Sequence, residues 1–430
     1  MRDVLIALVF PILLFYIFKR PYIGASLWIW SAMFYPKGWV WGFANSIRFN
    51  LFIALATILA YFFQKEKAKY ELSALSVLVF ILSIWGTVSA VLTISNPDIV
   101  WHEWNLFIKI MIFYFVCTMT LTSKHHINTF LWAIVLSASF YGAGEGVKYI
   151  VSGGGHVLKG ISGSRLSDRN ELALALNMTL PILLFLFSQS KLTIVRLGLA
   201  SAVLLNIVAI IGSFSRGGLL GLMVVGGYFF IKSKKKMIVM TLLTLTLITA
   251  NHFAPDKWVD RMSTISEMSD DNSFLGRLTA WKQAILMAGD NPVFGAGFKA
   301  GQNPMVWKLY EPDFYTLNFL IDTGEYVSPA AKAAHSIYFQ VLGDMGLVGL
   351  LIFLGTLWYS LKNLKSVIKH SEDIWMVDLA KMLQVTILAY CIGGAALSLP
   401  YFDLSFALFA LSHCLRLIML KQQRNNDMQV

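Results

Sequence analysis

Charge is what this sequence has least of. Only 14% of its 430 residues are Asp, Glu, Lys or Arg, against about a quarter in an ordinary soluble domain. Cysteine is rarer still. Cys117, Cys391 and Cys414 are the whole set, each lies in an apolar stretch, and their spacing makes neither a disulfide framework nor a thiolate metal site. No HExxH, GxxxxGK[ST] or CxxC pattern occurs, which removes the chemistries those motifs serve. Internal repeats are missing too, although transporters usually carry them. A small-residue cleavage site is also lacking after the first apolar run, so that run is expected to stay as a helix.

What fills the sequence is apolar: 57% hydrophobic residues, 14% aromatic and a mean hydropathy of +0.64. Runs near the bilayer-spanning length of about 20 residues recur from end to end. They are continuous rather than alternating, which predicts helices and not a β-barrel. The fold class is therefore all-α, a polytopic helical membrane protein of about twelve crossings. Spans are expected near 3–18, 22–35, 50–64, 72–94, 105–122, 127–150, 171–188, 193–212, 217–231, 237–252, 336–360, 376–397 and 401–419.

The net charge of +11 is not a nucleic-acid signature, because the basic residues are scattered through short loops. "KEKAK" (65–69), "SKHH" (123–126), "KLTIVR" (191–196), "KSKKK" (232–236), "KNLKSVIKH" (362–370) and the tail "RLIMLKQQR" (416–424) occupy alternate connections. The positive-inside rule makes all six cytoplasmic and turns the other connections outward. Three parts follow: N-terminal transmembrane helices over 1–252, a long outward loop with helices over 253–335, and C-terminal transmembrane helices with a cytoplasmic tail over 336–430. Within the loop, "SFLGRLTAWKQAILMAGD" (273–290) predicts a helix with Arg277 and Trp281 on one face. "NPVFGAGF" (291–298) predicts a turn. A connection this long is expected to act as a lid, the plainer alternative being a structural cap.

Three spans that run inward from the outer face begin unusually. One is preceded by "SDRNELALAL" with Arg169, one by "SFSRGG" with Arg216, and one opens on "HSIYFQVLGDMG" with His335. Asp168 and Ser213 or Ser215 have the character of N-caps. A helix N-terminus already carries a partial positive charge, so an arginine there is unfavourable unless an anion meets it. Each residue has a plain alternative. Arg169 and Arg216 could snorkel to headgroups, Arg277 could pair with Asp270 or Asp271, and His335 could be an interfacial helix-start histidine. Together they favour a phosphate site, since the guanidinium fork suits phosphate and nearby positive charge keeps His335 in the neutral form a base needs. That set suits transfer of a group from a lipid diphosphate to an alcohol, with arginine doing the electrostatic work and no cofactor. Glu311 and Asp313 are the one acidic pair at ExD spacing and a weak metal candidate. His102, His156 and His252 lack any such setting and are expected to be structural.

At these residues the chain resembles the O-antigen ligase and Wzy-type polymerase superfamily. The matching pieces are "RNELALAL", "SFSRGGLLGL", "GRLTAWKQAILMAGDNPVFGAGF" and "HSIYFQVLGDMGLVGLL", in order over 169–351. "RPYIGASLWIWSAMFYP" and "WGFA" (20–44) are similar to O-glycosylation ligases associated with exosortase systems. The resemblance implies an enzyme of the bacterial inner membrane that takes a glycan from undecaprenyl diphosphate on the periplasmic side. It implies delivery to lipid A-core, a protein hydroxyl or another glycan, with inversion and without metal. It implies that His335 is the base and that Arg216 and Arg277, with Arg169 less directly, bind the diphosphate. Trp281, on the helix face it shares with Arg277, is expected to contribute from the loop. The rival of another class is a transporter of a lipid-linked sugar or other anion.

Overall fold

In the computed structural model the chain is described over residues 2–65, 67, 70–232 and 272–428, with Lys236, Thr241 and Thr244 between. The span expected at 237–252, apart from Thr241 and Thr244, lies outside the described residues. So do 253–271, with His252, Asp270 and Asp271.

Every regular element described is helical, with no strand among the described residues. The helices are α1 (Arg2–Lys19), α2 (Pro21–Phe34), α3 (Phe49–Phe63), α4 (Ala74–Val91), α5 (Pro97–Thr120), α6 (Lys124–Val151), α7 (Arg169–Gln189), α8 (Thr193–Gly212) and α9 (Arg216–Lys232). After the undescribed stretch come α10 (Asn272–Asp290), α11 (Pro304–Tyr310), α12 (Ile337–His370), α13 (Ile374–Gly394) and α14 (Asp403–Asp427). Eight of them, α4 to α8 and α12 to α14, are long and apolar enough to cross a bilayer. The protein is thus an all-α, multi-pass membrane protein.

Helix boundaries follow local chemistry where they depart from the hydropathy pattern. α5 begins at Pro97, well before the apolar run at 105, because Asn96 caps it and Pro97 occupies its first turn. α14 continues past 419 through "KQQRNND", a string rich in good helix formers that needs no lipid around it.

α7 is the axis of the bundle. In its apolar window 78% of the residues are buried, against 22% for α8, so α7 is central and α8 faces lipid. α9, α8, α6 and α13 pack around α7. The approach of α9 depends on "RGGLLG". A Cβ at Gly218 would stand 2.9 Å from Ala173 Cβ on α7, and one at Gly221 would stand 3.1 Å from the Asn177 side chain. Asn177 uses the closeness, donating from Nδ2 to Gly218 O at 2.9 Å. Small residues that let two helices meet in this way are a standard membrane interface. Gly218 and Gly221 thus serve helix packing.

α12 is broken. Gly346 has φ 71° and ψ −174° inside it, so Ile337–Met345 is a separate segment capping the span that follows. The "NPVFGAGF" turn fills the gap. Leu347 N–H donates to Pro292 O at 2.8 Å, Ala296 N–H to Gly343 O at 2.9 Å, and Gly297 N–H to Asp344 O at 3.0 Å. Trp85 on α4 donates from Nε1 to Val293 O at 3.0 Å and lies 3.2 Å from Met345 O. Backbone freed by the break is thus paired within the protein, as an apolar surround demands. The fit is close: a Cβ on Gly346 would sit 2.6 Å from Pro292 O.

Candidate functional site

The three unusual helix starts are built differently. At α7 Asp168 is the N-cap and accepts from Asn170 N–H at 2.7 Å. Glu171 stands three residues on, the spacing of a capping box, and Arg169 is the first residue of this capped helix. At α9 Ser215 Oγ accepts from Gly218 N–H at 3.0 Å, and Ser213 Oγ accepts from Ser215 N–H at 3.1 Å. Between them Phe214 takes φ 50°, which swings the chain so that Arg216 opens the helix.

His335 does not begin its helix, as the sequence reading had it. α12 starts at Ile337 with Ser336 as N-cap, and His335 stands before it at φ 44°. The left-handed region is costly for a residue with a Cβ and is typically held at functional positions by its surroundings. Two contacts hold it here. His335 N–H donates to Ser398 Oγ at 2.8 Å, and the carbonyl of the preceding Ala334 accepts from Trp281 Nε1 at 2.6 Å. The Trp281 ring also stacks on Phe339, 4.6 Å between centroids at 12°. Trp281 is thus a brace that fixes the turn carrying His335.

The imidazole itself is half-buried and makes no hydrogen bond among the described residues. Burial lowers its pKa below the ordinary histidine value, the positive field of Arg277 and Lys332 lowers it further, and Asp168 opposes them. These effects place Arg277 and Asp168 within electrostatic reach of His335. Arg216 comes to the same place through α13: Gly217 packs toward Ala396 and Gly393 O, each 3.5 Å from where its Cβ would be, and Ser398 follows in that same turn. The structure therefore gathers His335, Arg277, the cap of Arg169 and the start of Arg216 around one end of the bundle. Arg169, Arg216, Arg277 and His335 are all half-buried, so each keeps a surface from which a ligand can be met.

α10 is fastened rather than hanging free. Trp281 ties its middle to Ala334, and its C-terminal turn is locked into the break of α12. Below Trp281, Lys282 is fully buried and donates from Nζ to Asn318 Oδ1 and, at 2.7 Å, to Thr323 Oγ1, pinning the 318–324 loop over the helix. The described part of the expected lid, 272–335, is thus packed on α12 through α10. Glu311 and Asp313 fall in an exposed 3₁₀ turn, and no cluster of three or more His, Cys, Asp or Glu suited to a metal occurs among the described residues. His156 has a structural partner: its Nε2 lies 2.6 Å from Glu145 Oε2.

Sequence reasoning missed Asp344, Lys299 and Ser398. Asp344 is 3% exposed inside an apolar helix, and Lys299 links to Glu103 at 2.9 Å. The signal was available in "VLGDMGLVG", where an acid interrupts an apolar run, since such residues are costly in a membrane and mark function by default. Ser398 carried no comparable signal.

Two family models match parts of the chain. A family model described as O-antigen ligase matches residues 177–354, the stretch from α7 to α12 that contains Arg216, Arg277 and His335. A family of unknown function, DUF5935, matches residues 1–191. No curated protein matches the chain. The match over residues 177–354 supports a place for the chain in the O-antigen ligase and Wzy-type superfamily.

Proposed function

We propose that this protein transfers a glycan from an undecaprenyl-diphosphate-linked donor to an acceptor hydroxyl at the periplasmic face of the bacterial inner membrane. The observation that carries the reading is the setting of His335: an imidazole without a hydrogen-bond partner among the described residues, on a left-handed turn, facing the field of Arg277 beside two helix starts. In the proposed step the acceptor oxygen attacks the anomeric carbon opposite the diphosphate. The new C–O bond forms as the sugar–phosphate C–O bond breaks, its electron pair leaves with the diphosphate, and the hydroxyl proton passes to His335. Configuration inverts. Arg216 and Arg277, with Arg169 at the rim, hold the diphosphate by paired hydrogen bonds and offset the charge it gains. Trp281 keeps base and arginine in register. No metal takes part.

The orientation rests on the alternation of basic loops, which puts the loop region 253–335 outside, between the transmembrane parts 1–252 and 336–430. The acceptor is lipid A-core, a protein hydroxyl or another glycan, the last making the enzyme a Wzy-type polymerase. The test is in-vitro transfer by purified protein from an undecaprenyl-diphosphate glycan, in EDTA, to each acceptor class. The expected result is a glycosylated acceptor and released undecaprenyl diphosphate. Movement of the donor across vesicles with no product bond would replace this reading by the transporter, and a need for added divalent metal would turn attention to Glu311 and Asp313.

A further inference from the structure

Asp344 stands apart from the chemistry above, and several parts of the fold converge on it. Its carboxylate accepts from Lys299 N–H at 2.8 Å through Oδ1. Oδ2 lies 3.4 Å from both Gln340 Nε2 and Tyr401 Oη. Its backbone carbonyl accepts from Ser89 Oγ at 2.6 Å and from Gly297 N–H at 3.0 Å. Those donors come from α4, from the turn that follows α10, from α12 itself and from the turn before α14. Lys299 takes φ 54°, so its N–H is turned toward the carboxylate at the expense of backbone freedom.

The consequence is geometrical. α10 carries Arg277 and Trp281, and α12 follows His335. α10 is tied to the turn before α12 by Trp281 Nε1 and Ala334 O. The turn that follows α10 is tied to the α12 break by the backbone bonds from Leu347 N–H to Pro292 O, Ala296 N–H to Gly343 O and Gly297 N–H to Asp344 O, and by Lys299 N–H to the side-chain oxygen Asp344 Oδ1. A group at 344 that displaces the Lys299 N–H displaces the turn bonded around it, and with it the C-terminal end of α10.

We propose that Asp344 is a positioning residue for the transfer reaction, a buried hydrogen-bond acceptor that seats the Gly295–Lys299 turn in the break of α12 and thereby holds Arg277 against His335. The proposal rests on the function proposed above. It assigns Asp344 the role of acceptor, not of charge or proton carrier. Asparagine would serve as well: its Oδ1 can take the Lys299 N–H, and its Nδ2 can donate to Gln340 once that amide turns over to present Oε1, which has no partner among the described residues. Glutamate would serve badly, because its extra methylene pushes the acceptor into a turn already in contact on every side.

The ordering of two variants decides the matter. Full-length Asp344→Asn and Asp344→Glu are compared with wild type in the same bilayer nanodiscs for turnover, donor binding and the pH dependence of turnover. A positioning acceptor predicts that Asn keeps near-wild-type turnover. Glu should lose about 10²-fold, the scale of a misplacement near 1 Å, and its acid limb should move to higher pH as the field of Arg277 recedes from His335. Hydrogen exchange at Gly297 and Lys299 should stay slow in Asn and quicken in Glu. The reverse order, Glu active and Asn inactive, would assign the role to charge and overturn the proposal; so would equal activity of both with wild type. Wild-type transfer and its loss in His335→Asn are run alongside. If those fail, the functional reading fails, and the exchange data still report whether Asp344 seats the turn.

Discussion

His335→Asn is the most informative single change in this protein, because it separates two things the histidine could do. His335 sits at φ 44°, and its N–H binds Ser398. Alanine would remove the imidazole but would also strain the turn, since the left-handed region costs an ordinary residue about 1–2 kcal/mol. Asparagine tolerates that region and keeps the N–H to Ser398. It offers no group that can take a proton at neutral pH. If His335 is the general base, turnover should fall by the 10²- to 10⁴-fold typical of such a group, about 2.7–5.4 kcal/mol of barrier at ~1.36 per tenfold. Donor binding should persist, because the arginines and both helix starts are untouched. The assay is transfer from a purified undecaprenyl-diphosphate glycan at saturating donor, with donor affinity followed separately and melting used to confirm the fold. Near-wild-type turnover in Asn with poor turnover in Ala would show that the position matters for its backbone alone. Lost donor binding in Asn would make His335 a ligand to the diphosphate and refute the base.

Three further outcomes follow from the same geometry. Arg277 depresses the pKa of His335 and Asp168 raises it, and only the neutral imidazole can accept a proton. The acid limb of turnover should thus move to higher pH in Arg277→Gln and to lower pH in Asp168→Asn, which keeps the N-cap; shifts in the opposite sense would refute the assigned field. Gly218→Ala puts a methyl 2.9 Å from Ala173 Cβ, an overpacking worth about 1–3 kcal/mol, and should pull α9 and Arg216 out of place. Gly227→Ala, with nothing within 4 Å, should melt and turn over as wild type, and equal loss in both would show that α9 does not set the site. Reporters inserted after Lys235 and at the exposed Gly324 should read cytoplasmic and periplasmic respectively, and the same side for both would remove the outward site.

What the sequence could and could not tell follows from the range of the interactions involved. Helix positions were legible because burial of apolar runs in lipid is a local demand, and α7, α8 and α9 begin and end within a few residues of the hydropathy pattern. Arg216 stood out because a charge beside a helix start and between apolar runs is in a poor local setting. Two things stayed hidden for the opposite reason. The break in α12 cannot be seen in "VLGDMGLVG" alone, since glycine at 346 permits a break without requiring one; the decisive partner is Pro292 O, more than fifty residues earlier. Trp281 looked like one half of a helix face shared with Arg277, and only the fold shows that its indole N–H ends on Ala334 O. The pairing gives the spacing of four a physical meaning: one helical turn separates the residue that braces the left-handed turn from the residue whose charge reaches the histidine on it. A helix that presents both must lie across the start of α12, so under the proposed function the long loop before His335 is part of the transfer site and not an insertion into it.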